Sequence, residues 1–171
     1  MHGRYAIERR CSHRRERFQL AFARAAMELM PRSEETAFEP SREGLLILAE
    51  TELALEKPIA RLREAYGDEL RIEPPAVRYQ DGDPVLEPHM GLRVLCNTRH
   101  FEAVRRDLLM RGATLEDAEV TEHFAVIRAS APLAWLIGYP KHLKEMTDAR
   151  TKLAMWLSHY APVAPTGGDA A

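Results

Sequence analysis

Leu92-Arg93-Val94-Leu95-Cys96-Asn97-Thr98, continuing through Phe101, Val104 and Leu108 to Gly112, is the stretch on which the fold turns. Leu92, Val94 and Cys96 alternate with Arg93 and Leu95, the period of a strand with one buried face. Thr98 stands where a helix cap belongs, and the apolar period then changes. Phe101, Val104 and Leu108 recur three and four apart, as one face of a helix, and Gly112 stops it. Downstream, strands are expected near Thr114 to Thr121 and Phe124 to Ala131. Trp135, Leu136, Tyr139, Leu143 and Met146 then form a helical stripe interrupted by Gly138 and Pro140. A last strand, Lys152 to His159, sets Leu153, Met155 and Leu157 against Trp156 on the other face. The order is β-α-β-β-α-β, a split βαβ.

The same order is legible upstream. A short strand at Arg4 to Glu8 precedes a helix from about Arg15 to Leu29, its stripe Phe18, Phe22, Ala25 and Leu29, closed by Pro31. Strands follow at Thr36 to Glu39 and Leu45 to Ala49. A second helix begins near Thr51 and carries Leu55, Ile59, Leu62 and Tyr66 up to Gly67. Pro58 inside it means either a helix that starts there or a kink. Leu70 to Ile72 supplies a final strand. Asp81-Gly82-Asp83-Pro84 is turn chemistry and divides the halves. The fold class is therefore α+β, two tandem ferredoxin-like domains over 1–80 and 85–164, joined by a flexible 81–84 linker and followed by a disordered tail at 165–171.

The 171 residues carry 24 basic and 26 acidic side chains, with hydrophobic residues at 46%. This near balance argues against nucleic-acid binding driven by bulk charge. Charge is uneven, however: seven arginines lie within the first 24 residues against two glutamates, and acids dominate onward to Pro84. No apolar run has the roughly 18 residues of a membrane span. Met1 to Arg10 lacks the apolar core of a signal peptide. Cys11 and Cys96 fit no zinc or redox spacing. The expectation is a cytoplasmic protein that does not engage membranes.

Catalytic and metal-binding patterns are missing. No glycine is followed by lysine, so the phosphate-cradling P-loop is absent and no GTP binding is expected. His13/Glu16 and His142/Glu145 lack a second ligand pair. Cys96 reads as a small buried hydrophobe. Glu34/Glu35 and Glu116/Asp117 lie in exposed stretches where nothing separates their acidities. No catalytic residue, metal or cofactor is assigned.

Leu86-Glu87-Pro88-His89-Met90, Ala131-Pro132-Leu133-Ala134, Gly138-Tyr139, Leu143-Lys144-Glu145-Met146-Thr147 and Met155-Trp156-Leu157-Ser158-His159-Tyr160-Ala161-Pro162-Val163 resemble successive segments of the last domain of the translation elongation factor G family. More loosely, Tyr5-Ala6-Ile7-Glu8, Glu52-Leu53-Ala54-Leu55-Glu56, Arg61 to Gly67 and Pro75-Ala76-Val77-Arg78-Tyr79 are similar to its third domain. The resemblance implies domain III-like and domain V-like modules without the GTPase domain, the following β-barrel or the decoding-centre domain. It also implies a partner in the ribosome, through large-subunit RNA and proteins. Thr51 and Ala54 replace family glycine and histidine, Thr147 to Thr151 depart from the family's run, and Pro140 follows Gly-Tyr where the family has a helix-compatible residue. Lys141, Lys144, Arg150 and Lys152 are the expected ribosome or RNA contacts. The alternative is an interaction module that kept the scaffold and binds another protein, or itself.

Overall fold

A computed structural model describes residues 4–163; the expected tail at 165–171 lies outside the described residues. The upstream unit comprises β1 (Ile7–His13), α1 (Gln19–Glu28), β2 (Thr36–Ser41), β3 (Gly44–Ala49), α2 (Glu56–Tyr66), β4 (Leu70–Ile72) and the short β5 (Ala76–Val77). The downstream unit comprises β6 (Leu86–Asn97), α3 (Phe101–Met110), β7 (Thr114–Val120), β8 (Phe124–Pro132), α4 (Tyr139–Met146) and β9 (Lys152–Pro162). The sheets are antiparallel, ordered β2-β3-β1-β4, with β5 also on β1, and β7-β8-β6-β9. Both are ferredoxin-like.

Several local expectations shift, each for a physical reason. The first strand runs Ile7–His13 and not Arg4 to Glu8. Charged Arg9 and Arg10 hide its alternation: the Arg9 side chain donates to the Glu73 carbonyl and Arg10 pairs with Glu43, while Ile7 and Cys11 are buried. In α1 the buried stripe is Phe22, Ala23 and Ala26, with Phe18 and Leu29 exposed. Gln19 fixes the start by bonding both His13 backbone groups. Pro58 occupies the first turn of α2, where its missing N–H would have no intrahelical acceptor.

In the downstream unit, Asn97 caps the turn before α3 by accepting from the Arg99 N–H, while the Thr98 hydroxyl donates to the Thr121 carbonyl. β6 begins at Leu86, upstream of the alternating stretch. Pro88 is tolerated because β8 pairs with β6 only from His89 onward, so no ladder bond is lost there. The stripe from Trp135 is broken: Leu133–Trp135 is a short 3₁₀ turn, Gly138 is left-handed at φ 80°, and α4 starts at Tyr139 and ends at Met146.

Between the units, Gln80 and Leu86 exchange both backbone hydrogen bonds, so the expected 81–84 linker forms the tip of a closed loop. A second link crosses elsewhere, where the Gly138 N–H donates to Glu52 Oε2 at 2.9 Å.

Candidate functional site

The helix α4 owes its orientation to three apolar residues and one glycine. Gly138 turns the chain, Pro140 sits in the first turn, and Tyr139 and Leu143 are buried, with Met146 packed against the core. The opposite surface presents Lys141, Lys144 and Glu145 to solvent. Lys141 lies 3.9 Å from Glu145, and both side chains are mostly exposed, so the pair contributes only about 0.3 kcal/mol. Lys144 forms no ion pair among the described residues.

After α4 the chain turns through Asp148, whose side chain stays partly exposed. Its carboxylate accepts from the Arg150 N–H at 2.8 Å and meets His100 at 3.1 Å and Arg99 at 3.2 Å. These bonds, that from the Arg150 amide foremost, hold its pKa below the usual carboxylate range. They tie the turn to the start of α3. Arg150 is exposed in this turn, its backbone bonded to the same carboxylate that Arg99 meets. Lys152 belongs elsewhere. It pairs across the ladder with Leu95, while its neighbour Leu153 packs into the core, so Lys152 lies on the helix-free side of the sheet. Two of the four expected cations therefore share α4, Arg150 lies in the turn that follows it, and Lys152 lies on the other side of the sheet.

Sequence reading misses Arg99, His100 and the α3–α4 anchor at Asp107. Asp107 receives Arg111 at 3.1 Å and meets His142 at 3.2 Å. These partners lie up to 49 positions apart, and no local pattern announces them.

Glu52 sits in the seam between the units, beside Arg9, Arg63, Pro140 and Lys141 around a cleft of about 230 Å³. Burial raises its pKa above the usual carboxylate value, and the Gly138 N–H opposes this in part. A folded-state value above the unfolded one means that the folded chain holds the proton more tightly. Stability is then lost as pH rises through that window. Glu52→Gln keeps an acceptor for Gly138 without a buried charge. It should match the parent's melting temperature near pH 4 and equal or exceed it near pH 7. A larger loss at pH 7 than at pH 4 would show that the charge is net favourable, through Arg9.

Neither cysteine is activated as a nucleophile. Burial pushes the Cys11 thiol up to about 11 and raises that of Cys96. No group of three metal-binding side chains converges among the described residues, and none of their helices is long and apolar enough to cross a membrane.

Residues 84–169 match the family model described as elongation factor G C-terminus. Elongation factor G from Granulibacter bethesdensis is 34% identical over 82 residues, which are 48% of this chain and 12% of that protein. Mitochondrial ribosome-releasing factor 2 from Danio rerio is 33% identical over 84 residues, 49% of this chain and 11% of that protein. The matches thus span about one-eighth of those relatives' length. The crystal structure of a protein from Thermus thermophilus superposes with a TM-score of 0.67 at 17% identity, covering 94% of this chain and 41% of that one, which shows a shared fold. The matched segment takes in the Leu86-Glu87-Pro88 entry to β6 and all of β9, so half of the chain, including the whole α3–α4 surface, belongs to the family, and this is a protein of the elongation factor G C-terminus family.

Proposed function

We propose that this chain is a non-enzymatic, elongation-factor-G-like protein that associates with the ribosome in the cytoplasm, without GTP. In this reading residues 1–80 are domain III-like, 81–84 link, and 85–164 are domain V-like. The docking surface is α4 and the turn after it, where Lys141, Lys144 and Arg150 stand exposed and Arg99 meets Asp148 in that turn. One observation carries the proposal: the segment matching the family is also the one whose short helix offers cations to a large anionic partner. Each lysine that meets a phosphate releases about one counterion, so binding should weaken steeply with salt.

Cosedimentation of the purified chain with ribosomes over a salt series tests this. The double variant Lys141→Glu with Lys144→Glu should lose cosedimentation at moderate salt while the melting temperature stays nearly unchanged, since both side chains are solvent-exposed. Unchanged binding in the variant would remove this surface. Absence of wild-type binding at low salt would remove the function.

A further inference from the structure

The helices α3 and α4 cover one face of the downstream sheet and leave the other bare. In the β6–β9 register, Gly91, Arg93 and Leu95 pair with Trp156, Ala154 and Lys152, and all point away from the helices. Arg128 on β8 faces Arg93 on the same side. Trp156 is 43% exposed although it lies in the middle of the ladder. Its indole spreads over Gly91, where even a Cβ would come within 2.4–2.6 Å of the ring. The glycine thus leaves room for a tryptophan to lie flat against the sheet with one π-face outward. Further along the same row, the His89 and His159 rings stack at 5.0 Å and 19°.

Charge accompanies the aromatic row. Arg93, Arg128 and Lys152 are exposed around Trp156, and none forms an ion pair among the described residues. Asp117 and Glu119 lie on the edge strand β7, where Asp117 pairs in register with Arg128, and Glu87 stands 3.6 Å from His89 at the far end of the row. Between Gly91 and Leu95 the path along β6 and β9 carries Trp156, Arg93 and Lys152 and no acid, so it is cationic and aromatic together. Burial of Trp156 against a purely apolar partner would strand three cations, whereas phosphates would meet them. A flat π-surface flanked by cations suits bases that are unstacked and splayed, which a duplex does not offer.

We propose that this open sheet face binds a single-stranded nucleic acid, one base stacking on Trp156 while Arg93, Arg128 and Lys152 meet the backbone. The surface lies on the side of the sheet opposite Lys141 and Lys144, so the proposal stands apart from ribosome docking through α4.

The test is fluorescence anisotropy of a labelled, mixed-sequence single-stranded RNA of about ten nucleotides with the full chain at low salt. Binding in the micromolar range is expected. Trp156→Ala should weaken it about tenfold or more, and Trp156→Phe should restore most of the loss. Arg93→Gln with Arg128→Gln leaves the Trp156–Gly91 contact intact and should both weaken binding and flatten its salt dependence. Lys141→Glu with Lys144→Glu should change nothing in this assay. Single-stranded DNA of the same sequence binding equally well supports a stacking surface without a 2′-hydroxyl contact, and weaker DNA binding supports an RNA site. Three results would overturn the proposal: no binding at low salt, equal affinity for a duplex of the same length, or full affinity in a folded Trp156→Ala variant.

Discussion

Gly44→Ala should destabilise the upstream unit by roughly 3 kcal/mol or more, a fall of about 6–12 °C in melting temperature. Gly44 follows the two-residue turn of the β2–β3 hairpin and pairs with Ser41. Its φ is +123°, a backbone conformation that side chains disfavour, and a Cβ there would stand 2.2 Å from the Cys11 carbonyl oxygen. Two penalties therefore combine. The strain alone accounts for about 1–3 kcal/mol. The clash adds to it, because Cys11 belongs to the central strand β1, pinned between β3 and β4, and cannot give way cheaply. Gly138→Ala is the informative comparison. Its φ is also positive, at 80°, but nothing lies within 4 Å of the added carbon, so only the left-handed penalty of about 1–2 kcal/mol applies. Thermal melts of both variants separate conformation from collision. Equal losses would mean that the hairpin relaxes away from β1 without cost.

How far the sequence reaches is clearest in the downstream unit. Leu92, Val94 and Cys96 announce a strand, Phe101, Val104 and Leu108 a helix, and all but the partly buried Phe101 are buried as the periods require. Alternation fails as a guide where a strand carries charge for a tertiary reason, as Arg9 and Arg10 do in β1. The α1 stripe misleads because alanines at positions 23, 25 and 26 allow two helical phases. Only contact with β1, β2 and β3 selects the phase that buries Ala23 and Ala26.

The candidate site divides in the same way. Strand parity alone sets Lys152 opposite Leu153, so its separation from Lys141 and Lys144 is legible, although the resemblance groups helix and strand as one surface. The Asp148 partners are not legible, because His100 lies 48 positions away and the two meet only after α3 and α4 pack side by side. Nor does anything in the chain announce that Gly91 lies beneath Trp156. That follows from a register fixed through the bulge between His89 and Met90.

The residue on which the α4 surface depends most is Tyr139, and two substitutions there should move stability in different ways. The side chain is fully buried, and the Arg111 guanidinium lies 5.1 Å from the ring centroid. Its hydroxyl has no hydrogen-bond partner among the described residues. Burial, reinforced by nearby Asp107 and partly offset by Arg111, pushes the phenol's pKa far up, so it stays neutral. Tyr139→Ala leaves a cavity and removes the aromatic contact with Arg111, and should cost about 3–5 kcal/mol. Tyr139→Phe keeps the packing and deletes an unpaired polar atom. It should be neutral or stabilise by about 1 kcal/mol. Consequences for binding follow from helix length. Eight residues do not form a stable helix in isolation, so α4 holds Lys141 and Lys144 in place only while Tyr139 and Leu143 dock it. Tyr139→Ala should therefore lose ribosome cosedimentation with every lysine still present, whereas Tyr139→Phe keeps it. Denaturant titration of both variants beside the binding assay checks the pair. A Tyr139→Phe protein weakened by more than about 1 kcal/mol would mean that the hydroxyl is satisfied by an enclosed water, and that the ring alone is not the anchor.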